Sequence, residues 1–461
     1  MNWELRIRNY ELEIEMKRIY FILSLLLVLC LQEISAQVKK WTLEDCINYA
    51  VTNNIGLQRQ RLETESAEVN LITSEMNLLP SLNLGSQLDV RFGRSVNAST
   101  NIITFNQNML SSYYVASNIQ LFNGFAKINT ISANRFMLKA GIETEKIARN
   151  TLIIDIMGQY YQVLYSRGLE NASKMQLDLS EKQLFRITKM VETGKEALAK
   201  QYEIESQVSA DKLAYTVARN TASQAVTTLK HMLQLEPSLE FDILMPDLNY
   251  MLIIDNSFNT DSIYSIASQT LPRLKEIEFE LKASKKQVAA ARGAIAPSLS
   301  LNGSISTGYF HASGDSIRDY SRELRNNLGQ EVYLTLNIPI FNNFITYKNI
   351  KLAKIKRKDT ELKLELEKNN LYTDIENACL NYNRGKDEFA AANSNYAFNT
   401  KSFSAVEKKF ESGLVDVTEF SVAKTTLFRA ETEALRTKLQ LLIRKLTIQF
   451  YATGEYENIM K

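Results

Sequence analysis

Four segments of the chain alternate apolar and polar side chains with the period of two that a β-strand produces. They are residues 82–92, 113–121, 299–309 and 332–340. One set of alternate positions is mostly Leu, Ile or Val, and the other is mostly small or polar. Each segment has about 9–11 residues, the length that a tilted strand needs to cross a bilayer. The pattern predicts four strands, and it favours lipid on their apolar face over an ordinary half-buried sheet.

The segments between the strands have helical character. Helices are predicted at 43–79, 124–193, 261–294 and 344–412, and the two longest are each followed by a Gly turn and a returning helix. Thr42 and Asp45 are expected to cap the first helix, and Pro272 is expected to kink the third. The last helix has apolar residues every three or four positions, which indicates coiled-coil packing or a plain helical bundle. These residues are Phe420, Ala423, Leu427, Ala430, Ala434, Leu435, Leu439, Leu442 and Leu446.

The order of one helix, two strands and two long helices occurs twice. Residues 79–84 match 296–301, residues 118–125 match 337–344, and 192–194 match 411–413, at an offset of about 217–219 residues. The predicted repeats are about 41–236 and 261–450, with a linker at 237–260. Four strands cannot close a barrel, and an open sheet edge is not tolerated in lipid. The chain is therefore expected to form oligomers, with eight strands in a dimer or twelve in a trimer.

The beginning of the chain has the features of an export signal. Lys17 and Arg18 precede an apolar run at 19–31, and Ser35-Ala36 offers a cleavage site. We therefore predict a signal peptide at 16–36, with 1–15 upstream of the true start and a mature chain of 37–461. No later apolar run has the length of a transmembrane helix, so membrane insertion is expected to use strands.

Composition and charge argue against several other functions. Lys and Arg total 54 and Asp and Glu total 52, which gives no reason to expect nucleic acid as a partner. Besides Cys30 in the signal, the cysteines are Cys46 and Cys379, which we expect to be small buried residues. No nucleophile elbow, phosphate loop, metal-ligand spacing or GxGxxG motif is present, so we expect no cofactor and no enzyme.

Taken with the twofold repeat, the junctions between strands and helices resemble those of the TolC-like outer-membrane efflux proteins. Pro80 and Pro297 begin the strands, and the strand ends contain Phe122 and Gly124 in the first repeat and Pro339 and Phe341 in the second. The resemblance implies a mixed, mainly α fold whose long helical hairpins form a periplasmic α-barrel. Four transmembrane strands per protomer would complete a shared twelve-stranded barrel in a trimer. Asn343 stands where the family usually has Gly.

The resemblance also implies a location, partners and site residues. The chain would lie in the outer membrane, with a large periplasmic part, as a passive exit duct joined to a periplasmic adaptor and an inner-membrane pump. The adaptor would dock on the hairpin turns, which are Glu192, Thr193, Gly194, Lys195, Glu411, Ser412, Gly413 and Leu414. Glu419 and Lys200 would line the tip constriction, although Glu419 also suits an ordinary helix start. A periplasmic coiled-coil adaptor or scaffold without a pore is the alternative function.

Overall fold

The computed structural model describes residues 40–96, 101–105, 107–246, 258–312 and 319–454. The predicted signal peptide at 16–36, with the segment before it, lies outside the described residues. Within the described ranges, no helix combines the length and the apolar character needed to cross a membrane.

The first predicted helix, 43–79, is two helices, α1 (Leu43–Asn53) and α2 (Ile55–Met76). Thr42 and Asp45 form the predicted capping box at the start of α1. The prediction of one helix is wrong because Asn54 is extended, with ψ of 122°, and its side chain accepts a hydrogen bond from the Leu57 N–H. Asn54 therefore ends one helix and caps the next.

The helix predicted at 261–294 is also divided, into α5 (Thr260–Thr270) and α6 (Pro272–Gly293). Leu271 between them has ψ of 130°. A residue before proline is disfavoured in the helical region, whereas proline itself suits the first turn of a helix. Pro272 therefore starts a new helix rather than kinking a continuous one.

The four predicted strands are β2 (Ser81–Arg91), β5 (Asn108–Asn123), β7 (Ser298–Ala312) and β8 (Gly329–Asn337). They form one antiparallel sheet of order β2–β5–β7–β8. The last strand ends at Asn337 rather than at residue 340 as predicted, because Pro339 has no N–H to donate to a ladder. Neither β2 nor β8 has a second partner strand among the described residues.

Three short features were not predicted. β1 (Lys40–Trp41) pairs in parallel with β6 (Asp242–Ile243), so the predicted linker contains a strand. β3 (Arg94–Val96) and β4 (Ile103–Phe105) form a hairpin. A single helix, α7 (Tyr320–Asn326), follows β7. Elements of two to seven residues are too short to show a clear period.

Four long helices form the largest part of the fold: α3 (Ala126–Glu192), α4 (Leu198–Met232), α8 (Ile345–Glu411) and α9 (Val417–Thr453). At 1.5 Å per residue, the 67 residues of α3 and of α8 extend about 100 Å. Next to the sheet, the helices follow the order α2–α3–α6–α8, and further away the order is α4–α3–α9–α8.

The helices pack around apolar clusters. One cluster includes Ile156, Tyr160 and Leu229, and a second includes Leu274 and Ile375. Most of the predicted stripe residues on α9 lie in or against the first cluster or a third one at the hairpin ends, and Ala430 and Ala434 are also buried. Cys46 and Cys379 are free and buried, as predicted, and burial raises the pKa of the Cys46 thiol to about 12.

Candidate functional site

The register of the sheet gathers most of the apolar residues of the four strands on one face. Leu84 lies opposite Val115, and Val115 lies opposite Ile305. Leu301 on the same face of β7 lies opposite Leu334. The other described residues leave these side chains uncovered, since Leu84 is 81% exposed and Leu334 is 62% exposed. An exposed apolar face of this extent requires a hydrocarbon or protein partner.

The opposite face of the sheet is mostly polar, although Leu110 and Phe310 pair on it near the far end. Asn118 donates a hydrogen bond from its Nδ2 to the Oδ1 of Asn302 at 2.6 Å, and Asn302 donates to the Oγ1 of Thr335 at 3.2 Å. Asp89 and Arg91 on β2 form an ion pair at 2.7 Å. One face therefore suits lipid and the other suits water, the arrangement of a sheet that separates a membrane from an aqueous lumen.

The two longest helices, α3 and α8, are each preceded by two residues in the left-handed backbone conformation. Gly124 and Phe125 have φ of 63° and 62°, and Asn343 and Phe344 have φ of 52° and 60°. Asn visits this left-handed region more easily than most residues. A β-carbon at position 124 would also overlap the carbonyl oxygen of Gly293. Asn343 is therefore compatible with its junction, whereas Gly124 is needed for both conformation and space.

The other predicted junction residues lie at the same end of the sheet. Pro80 directly precedes β2, and Pro297 directly precedes β7. Phe122 packs edge to face on Phe125, and the equivalent pair, Phe341 and Phe344, has ring centroids 5.8 Å apart. These aromatic pairs stand where the apolar sheet face meets the helices.

The predicted hairpin turns connect α3 to α4 and α8 to α9. Gly194 and Gly413 have φ of 71° and 73°. The N–H groups of Lys195 and Leu414 donate to the carbonyl oxygens of Met190 and Lys409, which closes each helix with a Schellman motif. Thr193 and Ser412 are the C-cap residues, directly after Glu192 and Glu411.

The two hairpins pack together near these turns through a shared apolar cluster. Its members are Ile187, Ile204, Phe403, Phe410, Val417 and Phe420. The rings of Phe410 and Phe420 stack with centroids 4.6 Å apart. Arg186 of the first hairpin donates to the carbonyl oxygen of Glu411 in the second. The two sets of turn residues, about 220 positions apart in the chain, therefore lie at one end of the molecule.

Glu419 and Lys200 lie in the first turns of α9 and α4. The Glu419 N–H donates to the capping carboxylate of Asp416 at 2.8 Å. Lys200 lies 3.9 Å from the carboxylate of Glu196. Among the described residues of one chain, no ion pair joins Lys200 to Glu419. A role of either side chain in a constriction stays a proposal that needs further protomers.

A buried charged cluster between the hairpins was missed by the sequence analysis. Lys424 on α9 is 1% exposed, and its Nζ lies 2.5 Å from the Oδ2 of Asp211 on α4 and 2.5 Å from the Oγ of Ser180 on α3. Asp211 also accepts a hydrogen bond from Gln207. The available signal was a lysine within an apolar stripe, four residues after Phe420. The cluster joins the second hairpin to the first.

Comparison with known proteins finds a family model that matches part of the chain. Residues 263–454 match the family model described as outer membrane efflux protein. A protein of Haemophilus influenzae described as uncharacterized is 20% identical over 428 residues, which is 90% of this chain and 89% of that protein.

Solved outer-membrane channels have the same fold. The CmeC channel of Campylobacter jejuni is 15% identical, with a TM-score of 0.75 over 91% of this chain and 88% of the channel. The MtrE channel of Neisseria gonorrhoeae is 17% identical, with a TM-score of 0.72 over 89% and 88% of the two chains. CusC is 17% identical, with a TM-score of 0.75 over 88% of this chain and 91% of CusC.

Proposed function

We propose that this chain is the outer-membrane exit duct of a multi-component efflux or secretion system. The proposal is supported by its similarity to the TolC-like outer membrane efflux proteins, in the family model that it matches and in its fold. The observation that carries the proposal is the sheet with an exposed apolar face and a polar face, joined to helices about 100 Å long. Lipid would contact the first face and water the second, while the helices extend the path through the periplasm.

The free edges of the sheet support closure by further copies of the chain. Unpaired N–H and C=O groups inside lipid each cost several kcal/mol, roughly, so both β2 and β8 need partners. Pairing β8 of one copy with β2 of the next satisfies both edges. Three copies would give the twelve-stranded barrel that the resemblance implies.

The helices that continue these two edge strands carry matching apolar stripes. On α2, which runs into β2, the stripe is Ile55, Leu62, Val69 and Met76, each more than half exposed. On α8, which follows β8, the stripe is Ile345, Leu352, Ile355, Leu362 and Leu366, also more than half exposed. Seven-residue spacing is that of a coiled-coil seam. A second copy would cover both stripes at the same interface that joins the strands.

The remaining parts of the proposal concern partners and chemistry. An adaptor would dock on the hairpin turns around Gly194 and Gly413, and an inner-membrane pump would supply energy. The duct itself would be a passive conduit and not an enzyme. A periplasmic adaptor or scaffold without a pore is not favoured, because such a protein would have no use for the exposed apolar face of the sheet.

Paired cysteines at the proposed seam test this assembly. Met76 ends α2 and Ile345 begins α8, so antiparallel helices place Val69 beside Leu352, each seven residues from its junction. The protein with Val69→Cys and Leu352→Cys should form covalent trimers on oxidation. Val69→Cys with Leu380→Cys is the control, because Leu380 is exposed but lies about 42 Å further along α8. Monomers alone from the first variant, folded in membranes, would contradict the proposed seam.

A further inference from the structure

The short helix α7 lies at the end of the sheet far from the long helices. β7 continues to Ala312, beyond its last pair with β8 at Ser306 and Gly329. Asn327, just after α7, donates to the carbonyl oxygen of Gly308 at 2.8 Å, and Thr307 donates to the carbonyl oxygen of Leu324 at 2.5 Å. The helix therefore covers the edge that β8 leaves open.

α7 also contacts the apolar face of the sheet through three tyrosines. Tyr113 and Tyr309 lie on the same face as Val115 and Ile305. The hydroxyl groups of Tyr113 and Tyr320 are 2.7 Å apart, and the rings of Tyr309 and Tyr320 have centroids 5.0 Å apart. This contact leaves Tyr309 only 6% exposed. Tyrosines with an apolar ring and a polar hydroxyl are typical of the boundary between hydrocarbon and headgroups.

The side of α7 that faces away from the sheet carries two arginines. Arg322 and Arg325 are exposed and three residues apart, so they lie on one side of the helix. Among the residues that the structure describes, no carboxylate forms an ion pair with either guanidinium. The nearby carboxylate of Asp319 instead accepts the N–H groups of Ser321 and Arg322 as the helix cap.

From these contacts we propose that α7 binds the phosphate groups of phosphorylated glycolipids in the outer leaflet. The proposal rests on the proposed function, which places the long helices in the periplasm and so places α7 at the outer surface. The apolar face ends in a tyrosine cluster. Two guanidinium groups that have no carboxylate partner among the described residues stand directly beside it. Guanidinium groups form paired, charge-assisted hydrogen bonds with phosphate oxygens. The continuity of the arginines with the lipid-facing surface favours a lipid phosphate over a free phosphate.

Binding of diphosphorylated lipid A to the purified full chain in detergent tests the proposal without requiring insertion. The wild type should bind this lipid at least ten times more tightly than the dephosphorylated lipid. The variant with Arg322→Gln and Arg325→Gln should bind the phosphorylated lipid roughly tenfold more weakly, which corresponds to about 1.4 kcal/mol. The variant with Arg322→Lys and Arg325→Lys should retain part of the wild-type affinity. Lys408→Gln with Lys409→Gln is the control, since it removes equal charge at exposed positions beside the hairpin turn.

The outcomes separate this inference from the proposed function. Equal affinity of the glutamine variant and the wild type would overturn the assignment of α7. Displacement of the lipid by millimolar inorganic phosphate would show a free-phosphate site and would also overturn it. Conductance in bilayers without lipid A tests the duct separately. If the protein conducts but does not bind lipid A, only the inference about α7 is refuted.

Discussion

The buried contact between Lys424 and Asp211 should hold the second hairpin against the first. Asp211→Leu leaves the Lys424 ammonium without its counter-ion, and the Lys424 side chain is only 2% accessible. Removing one partner of a buried ion pair costs about 3–5 kcal/mol. Because the Asp211 side chain is 14% accessible, we expect the lower end of that range, about 3 kcal/mol. Lys424→Met should lower stability less, because the Asp211 carboxylate still accepts hydrogen bonds from Gln207 and Ser180.

Native-state hydrogen exchange of the amides in 198–215 and 417–430 measures this coupling. A loss of about 3 kcal/mol corresponds to more than 100-fold faster exchange through local opening. The double variant, Asp211→Leu with Lys424→Met, should exchange within about tenfold of the wild type, because an apolar pair replaces the charges. Glu192→Gln, which breaks the exposed pair with Lys189, is the control and should have no measurable effect. Strictly additive effects in the double variant would refute the coupling.

Three further predictions concern single positions. An alanine in the left-handed conformation lowers the free energy of unfolding by roughly 1–2 kcal/mol. Gly124→Ala should lower it by well over that amount, because the new β-carbon also overlaps backbone atoms. Gly194→Ala, where the β-carbon would meet open space, should lower it by only that amount, and thermal melting measures both variants. Cys46 and Cys379 should not react with a thiol reagent until the protein unfolds, and fast labelling of either in the folded state would contradict their burial. Burial raises the pKa of the Glu276 carboxyl, so folding binds protons and stability should fall as pH rises above about 4.5. Glu276→Gln should therefore be more stable than the wild type at neutral pH and equal to it in acid.

The periodicity of the apolar residues and the positions of Pro and Gly were enough to predict the large elements. The period-two segments became β2, β5, β7 and β8, since an amphipathic sheet face imposes strict alternation. The scarcity of Pro and Gly in 124–193 and 344–412 correctly indicated two long helices. The cap of α1 followed from Thr42 and Asp45 because a capping box is a local interaction.

The misses arise from interactions that the local sequence does not reveal. The break at Asn54 depends on one residue, whose backbone N–H ends the first helix and whose side chain caps the second, and a helical period continues across it. The pairing of β1 with β6 joins residues about 200 positions apart through two residues each. The contact of Lys424 with Asp211 and Ser180 depends on three helices meeting, which a single stripe of apolar residues does not specify.

The roles of the candidate tip residues depend on copies of the chain beyond one protomer. Glu419 and Lys200 were chosen by counting from the turn glycines, and the structure places them in the first turns of their helices. Whether their side chains meet around an axis is a property of the assembled oligomer, which three identical chains would create by symmetry. The proposal for the constriction therefore depends on the same assembly as the duct.

Single-channel conductance of the mature protein in a planar bilayer tests the central claim most directly. We expect discrete, cation-preferring steps whose size or selectivity changes in Glu419→Ala, because a ring of carboxylates would attract cations. Steps that the substitution leaves unchanged would support the duct but would contradict the placement of Glu419 at the constriction. Absence of conductance from a well-folded oligomer that also fails to enter outer-membrane lipid would contradict the proposed exit duct and would favour the adaptor or scaffold function.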